Sequence, residues 1–125
     1  MTEYLDLEDL LAAAETAVGR RPEIRDIGLL QSAVERPRST AFGVEPYPDL
    51  DGKAAALLHS IVTGHPLVDR NKRLGWVAVR LFYRMNETDV HPEADEASEL
   101  IIEVASGTIR DVPQIADRLR RWRVP

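Results

Sequence analysis

Nine consecutive positions carry most of the reactive chemistry in this chain: His65-Pro66-Leu67-Val68-Asp69-Arg70-Asn71-Lys72-Arg73. They hold a histidine, a carboxylate, an amide and three cations. Histidine is the side chain best suited to taking a proton from an attacking hydroxyl. Asp69 is the only acid of the run. Beside phosphate, a lone carboxylate suits Mg²⁺, which keeps much of its water and bridges to substrate oxygens. Lys72 and Arg73 add positive charge, and a guanidinium grips two phosphate oxygens at once. The set reads as phosphoryl or nucleotidyl transfer, achieved by positioning and charge stabilisation. Plainer roles compete residue by residue. Asp69 alone would cap a helix, Lys72 and Arg73 would form a solvated first turn, and His65 would be a hydrogen-bonded loop residue.

The flanking segments decide where these side chains stand. Pro66 disfavours the right-handed helical conformation at His65, so the apolar helix before it should stop there. The next helix should begin near Asn71 or Lys72, turning its free N–H groups and positive dipole end toward the run. That is a ready anion site. Cations in a first helical turn oppose the dipole, which hints at an anionic guest.

The remaining elements follow from periodicity. Asp6 caps a first helix with Leu7, Leu10, Leu11, Ala14 and Val18 on one face and Gly19 as its stop. A second helix runs from about Asp26 to Pro37. Residues 38–50 have no helical period and contain Gly43, Pro46, Pro48, Phe42 and Tyr47. They read either as a functional loop or as a surface loop with both aromatics tucked into the core. Asp51 is expected to cap a third helix, Gly52–Gly64, with a wide apolar face. The fourth carries Leu74 through Met85 and stops at Asn86; Gly75 permits close helix approach, and Trp76 either packs in the core, the preferred reading, or lines a partner groove. A fifth spans about Glu93–Ser106. Asp111 caps a sixth, with Pro113 in its first turn and Ile115, Ala116, Leu119 and Trp122 inward. The cations Arg118, Arg120, Arg121 and Arg123 read as a solvated run at the negative helix end. His59 is expected at the surface or at an interface, and His91 in a turn.

Composition bounds the class. One domain of 125 residues with 44% hydrophobic and 30% charged residues has an ordinary globular balance. No cysteine is present, so disulfides and thiolate metal sites are excluded. No apolar run is long enough for a membrane span, and the first residues lack the pattern of a signal peptide. A cytoplasmic protein with no membrane partner is expected. The net charge of −5 argues against direct nucleic-acid binding. Only Lys53 and Lys72 are lysines among the sixteen basic residues, which makes a lysine inside the run notable.

The run His65–Arg73 resembles the signature of the Fic/Doc superfamily, His-x-Phe-x-(Asp/Glu)-Gly-Asn-(Gly/Lys)-Arg, in its Doc ("death on curing") form. That branch carries Lys where AMP-transferring Fic enzymes carry Gly, and here the position is Lys72. The likeness extends over nearly the whole chain, including Ala105-Ser-Gly-Thr-Ile109 and Ile115-Ala-Asp-Arg-Leu-Arg-Arg121 near its end. It implies an all-α bundle of six helices, with the catalytic loop between the two central ones and an extended flap at 38–50 that holds a target peptide. It implies His65 as general base, Asp69 on Mg²⁺, and Asn71, Lys72 and Arg73 on the phosphates of ATP; Arg70, beside them, is expected either to add a charge to that phosphate site or to crowd the nucleotide. The γ-phosphate would pass to a serine or threonine hydroxyl of a translation factor like elongation factor Tu, arresting protein synthesis. A small dimeric DNA-binding antitoxin with a disordered tail would hold the toxin in check. The nearest match to the family's inhibitory pattern, Ser98–Glu103, has the wrong spacing and lies in a core helix.

Two departures leave the chemistry open between phosphate and AMP. Leu67 replaces the usual aromatic, and Arg70 replaces the usual small residue. Leu74-Gly75, where Thr-Ala is common, reads as a packing change. The other readings are a Fic-type nucleotide transferase and a catalytically inactive binding protein with the same fold.

Overall fold

Aspartate stands at the N-cap of five of the six helices, and arginine at the sixth. The computed structural model describes residues 1–125. The helices are α1 (Leu7–Val18), α2 (Ile27–Glu35), α3 (Leu50–Gly64), α4 (Asn71–Met85), α5 (Glu96–Ser106) and α6 (Val112–Trp122). A 3₁₀ turn, Arg36–Arg38, follows α2. Strand pairing is confined to three isolated bridges, so the fold is all-α. No helix is long and apolar enough to cross a membrane.

The caps explain the early boundaries. Asp6 accepts from the Asp9 N–H at 2.8 Å while Asp9 accepts from the Asp6 N–H at 3.0 Å, a reciprocal box that satisfies two otherwise orphaned donors. Asp26 accepts from the Leu29 N–H at 3.2 Å. For α3 the expected cap moves by two residues. Asp49, not Asp51, accepts from the Gly52 N–H, at 2.7 Å. α5 begins at Glu96 instead of near Glu93. Asp111 occupies the cap position of α6, but its side chain makes no capping bond.

α3 is the hub. It packs against α4, α6, α2 and α5, and every residue from Asp51 to Leu58 is buried, with Ile61 and Val62. Gly75 lets α4 approach it closely. A Cβ at that position would lie 2.8 Å from Val62 Cγ2 and 2.9 Å from Leu58 Cδ1, so both buried side chains would have to shift. Asp51, released from capping, accepts from the Tyr83 hydroxyl at 2.7 Å and pairs with Arg120 Nε at 3.3 Å and Arg123 Nη1 at 3.4 Å. Burial, then the Asp51 contact, pushes the Tyr83 phenol far above its usual range, so it stays a donor. The arginine run of α6 is therefore not simply solvated. Arg118 also pairs with Glu103 of α5, at 3.0 Å.

The link after α4 is tied by Asp89. Arg80 donates to it through Nη2 at 2.8 Å and Nε at 3.1 Å, Arg84 Nε at 3.1 Å, and the Val90 N–H at 2.8 Å. The Arg80 fork, the Val90 N–H and Arg84 hold this carboxyl well below the usual range despite its burial. A depressed folded pKa adds stability that is complete above the unfolded carboxylate pKa and is lost as pH falls toward the folded one. Asp89→Asn is expected to cost about 2 kcal/mol at pH 7. In urea unfolding the gap from the parent should persist at pH 5 and narrow below about pH 4; a gap independent of pH would refute the ion-pair account.

The segment between the 3₁₀ turn and α3 divides its two aromatics. Tyr47 packs partly against the core, its hydroxyl accepting from Arg36 Nε at 3.0 Å. Phe42 is fully exposed at the tip of a tight turn closed by two Ala41–Val44 hydrogen bonds. Buried Lys53 fastens this segment to α3, bonding the Pro37 carbonyl at 3.2 Å and Glu45 at 3.3 Å. His59 is half-buried, with Arg36 Nη1 2.9 Å from its Nδ1. Burial, then the guanidinium, lowers its pKa.

Candidate functional site

The His65–Arg73 run joins the hub helix α3 to α4, and two left-handed residues bracket it. His65 caps α3 at φ 54°, and Arg70 precedes α4 at φ 62°. Pro66 disfavours the right-handed helical conformation at His65, and the chain there takes the left-handed one. Between the brackets Pro66 and Leu67 are buried, Leu67 filling the anchoring role despite its smaller area. His65, Val68, Asp69 and Arg70 are exposed.

Asn71 sets the shape of this loop. Its side chain is buried, accepting from the Leu67 N–H at 2.9 Å and donating to the Leu67 carbonyl at 3.0 Å. The amide thus acts as a clamp closing the turn, with both polar atoms engaged. Asp69 does not cap α4. The N-cap is Arg70, and no side chain bonds the first turn. The Asp69 carboxylate has neither a hydrogen-bond nor an ion-pair partner.

The opening of α4 is left without acceptors. The first helical bond runs from the Leu74 N–H to the Arg70 carbonyl at 3.0 Å, so the amides of Asn71, Lys72 and Arg73 have no protein acceptor. Arg70, Lys72 and Arg73 pair with no carboxylate. Arg73 donates once, to the Ala17 carbonyl at the end of α1, at 3.4 Å. Cations at a helix N-terminus cost about 0.3–1 kcal/mol each, which an anion would offset.

These three cations line a cleft of about 470 Å³ between α4 and α5, shared with Trp76, Ala97, Ser98, Ile101 and Ile102. Trp76 is half-buried, its ring set edge-on to Trp122 with centroids 6.3 Å apart. The Ser98 side of α5 is therefore open to this cleft, contrary to a wholly buried core helix; Ser98 and Ile102 are exposed. His65 and Asp69 stand on the loop outside the cleft lining.

A second segment, not singled out by sequence, holds the loop from behind. Residues 23–26 run beside residues 64–68. The Arg25 guanidinium donates to the carbonyls of His65 at 2.6 Å and Gly64 at 2.8 Å. The N–H groups of Arg25 and Asp26 both reach the Pro66 carbonyl, and Val68 donates to the Glu23 carbonyl. The only local signal was the extended Glu23-Ile24-Arg25 stretch before the Asp26 cap.

Arg70 carries a strain that its residue type does not relieve. A non-glycine residue in the left-handed region costs about 1–2 kcal/mol. Arg70→Gly is expected to raise stability by roughly 0.5–1 kcal/mol after the extra unfolded-state entropy is subtracted. Thermal unfolding measures it, and a destabilised variant would mean that the Arg70 side chain contributes more than its backbone costs.

Residues 4–83 match the family model described as "Fic/DOC family". That stretch takes in α1 to most of α4, with the whole His65–Arg73 run. Over 108 residues the chain is 47% identical to a protein of Mycolicibacterium smegmatis named "Toxin Doc", a match covering 85% of this chain and 83% of that one.

Proposed function

The chain belongs to the Fic/Doc family as a Doc-type toxin, and we propose that it transfers the γ-phosphate of ATP to a serine or threonine hydroxyl of a translation factor resembling elongation factor Tu. Protein synthesis stops as a result. The observation that carries this reading is the opening of α4, where three unaccepted amides meet Lys72 and Arg73, neither with a carboxylate partner. Such an end takes phosphate.

His65, exposed and with an unpartnered ring, accepts the proton of the target hydroxyl. The hydroxyl oxygen bonds to the γ-phosphorus as the bond to the β–γ bridging oxygen breaks, and ADP leaves. Lys72, Arg73 and the α4 amides hold the phosphate oxygens, and Arg70 adds charge at the rim. Asn71 contributes its backbone N–H, while its side chain keeps the loop closed. Asp69 suits Mg²⁺ as an exposed carboxylate with no competing partner. The ion would supply positive charge to offset the negative charge of the phosphate oxygens during transfer. A separate antitoxin, a small DNA-binding dimer with a disordered tail, restrains the toxin in this reading.

The test is to incubate the protein with Mg²⁺-ATP and elongation factor Tu and weigh the intact factor. A gain of one phosphate supports the reading. A gain of one AMP makes the protein a Fic-type nucleotide transferase. No gain, with growth arrest still dependent on His65, discards the substrate and keeps the enzyme. No gain and no dependence on His65 leaves a binding protein.

A further inference from the structure

The backbone that carries His65 is fixed by a residue forty positions earlier in the chain. We propose that Arg25 is the positioning residue of this site: it fixes the direction from which the His65 imidazole projects, without itself touching the substrate. The proposal rests on His65 acting as the base.

A helix end leaves its last carbonyls without intrahelical partners. At the end of α3 two consecutive ones, Gly64 and His65, are taken by one guanidinium, at 2.8 Å and 2.6 Å. A planar fork can span both, and its charge lies at the negative pole of the helix. His65 sits at φ 54°, and a non-glycine residue holds that conformation only where its surroundings determine it. Arg25 supplies that determination on the near side. On the far side the Pro66 carbonyl accepts from the N–H groups of Arg25, at 2.8 Å, and Asp26, at 3.0 Å, and Ile24 bridges to Leu67. The His65 ring has no hydrogen bond of its own, so its placement comes from this backbone. A reacting group displaced by about 1 Å can lose roughly a hundredfold in rate.

Two variants and two readouts test this on the full chain. Arg25→Ala should lower kcat by about tenfold to a hundredfold, with KM for ATP unchanged within about twofold, both corrected for the folded fraction. Arg25→Lys keeps the charge but reaches one carbonyl at a time, and should recover part of the loss. Independently of activity, the ¹H–¹³C signals of the His65 ring should shift or broaden in Arg25→Ala while those of His59 and His91 stay. A merely structural arginine would lower the melting temperature and leave kcat per folded molecule and the His65 signals at parental values; that result overturns the proposal. If Arg25→Ala does not fold, the same two readouts on Arg25→Lys decide it. Activity surviving His65→Ala would instead sink the base assignment, with the ring signals still judging Arg25.

Discussion

His65→Ala leaves a folded protein whose transfer rate is down by about 10²–10⁴-fold. The fold survives because the imidazole is exposed and bonds nothing; its backbone carbonyl, which Arg25 holds, is unchanged by the substitution. Stability should stay within about 0.5 kcal/mol of the parent, the usual range for a surface change. In the proposed reaction the rate should fall because the loop offers no other proton acceptor with a free side chain except Asp69, which that reading places on Mg²⁺. Induced expression in growing cells, paired with thermal unfolding of the purified variant, separates the two effects. A variant that folds and still arrests growth would remove His65 from the chemistry.

Asp51→Ala has the largest expected effect on stability, about 3 kcal/mol out of a total that for most domains is about 5–15 kcal/mol. The carboxylate is almost wholly buried and accepts from Tyr83, Arg120 and Arg123. Removing it strands the buried Tyr83 hydroxyl and opens a void between α3, α4 and α6. The two arginines are partly exposed and recover water, which is why the loss stays at the lower end for a broken buried pair. Asp51→Asn keeps an acceptor for Tyr83 and should cost about half as much. Urea unfolding of both variants measures this. Equal losses would show that the charge, and not the Tyr83 hydrogen bond, dominates.

The His65–Arg73 run was legible because its chemistry is contiguous and Pro66 fixes where α3 stops. Helix spacing, Gly75 and the inward face of α6 followed from local pattern for the same reason. Asp51 was not separable from Asp49 by local sequence, since either can cap. The choice is made by Tyr83, thirty-two residues on, and Arg123, seventy-two residues on. Arg25 was illegible for a similar reason: its partners are carbonyls, which leave no trace in residue type. Asn71 shows the limit within the motif. The resemblance placed it on phosphate; local sequence carried no sign that its side chain is buried and closes on Leu67. Residues 38–50 resisted a single reading because Tyr47 goes in and Phe42 stays out.

The closing of α6 over α3 has a bearing on biosynthesis. A domain folds as a unit as its chain emerges, and here the hub helix lacks its cover, and Asp51 its guanidinium partners, until α6 has been made. While the ribosome is still on the message, the loop at the end of α3 hangs from an unsealed core. The order of synthesis thus leaves the α3–α4 pair without its full packing until the last of the six helices has been made.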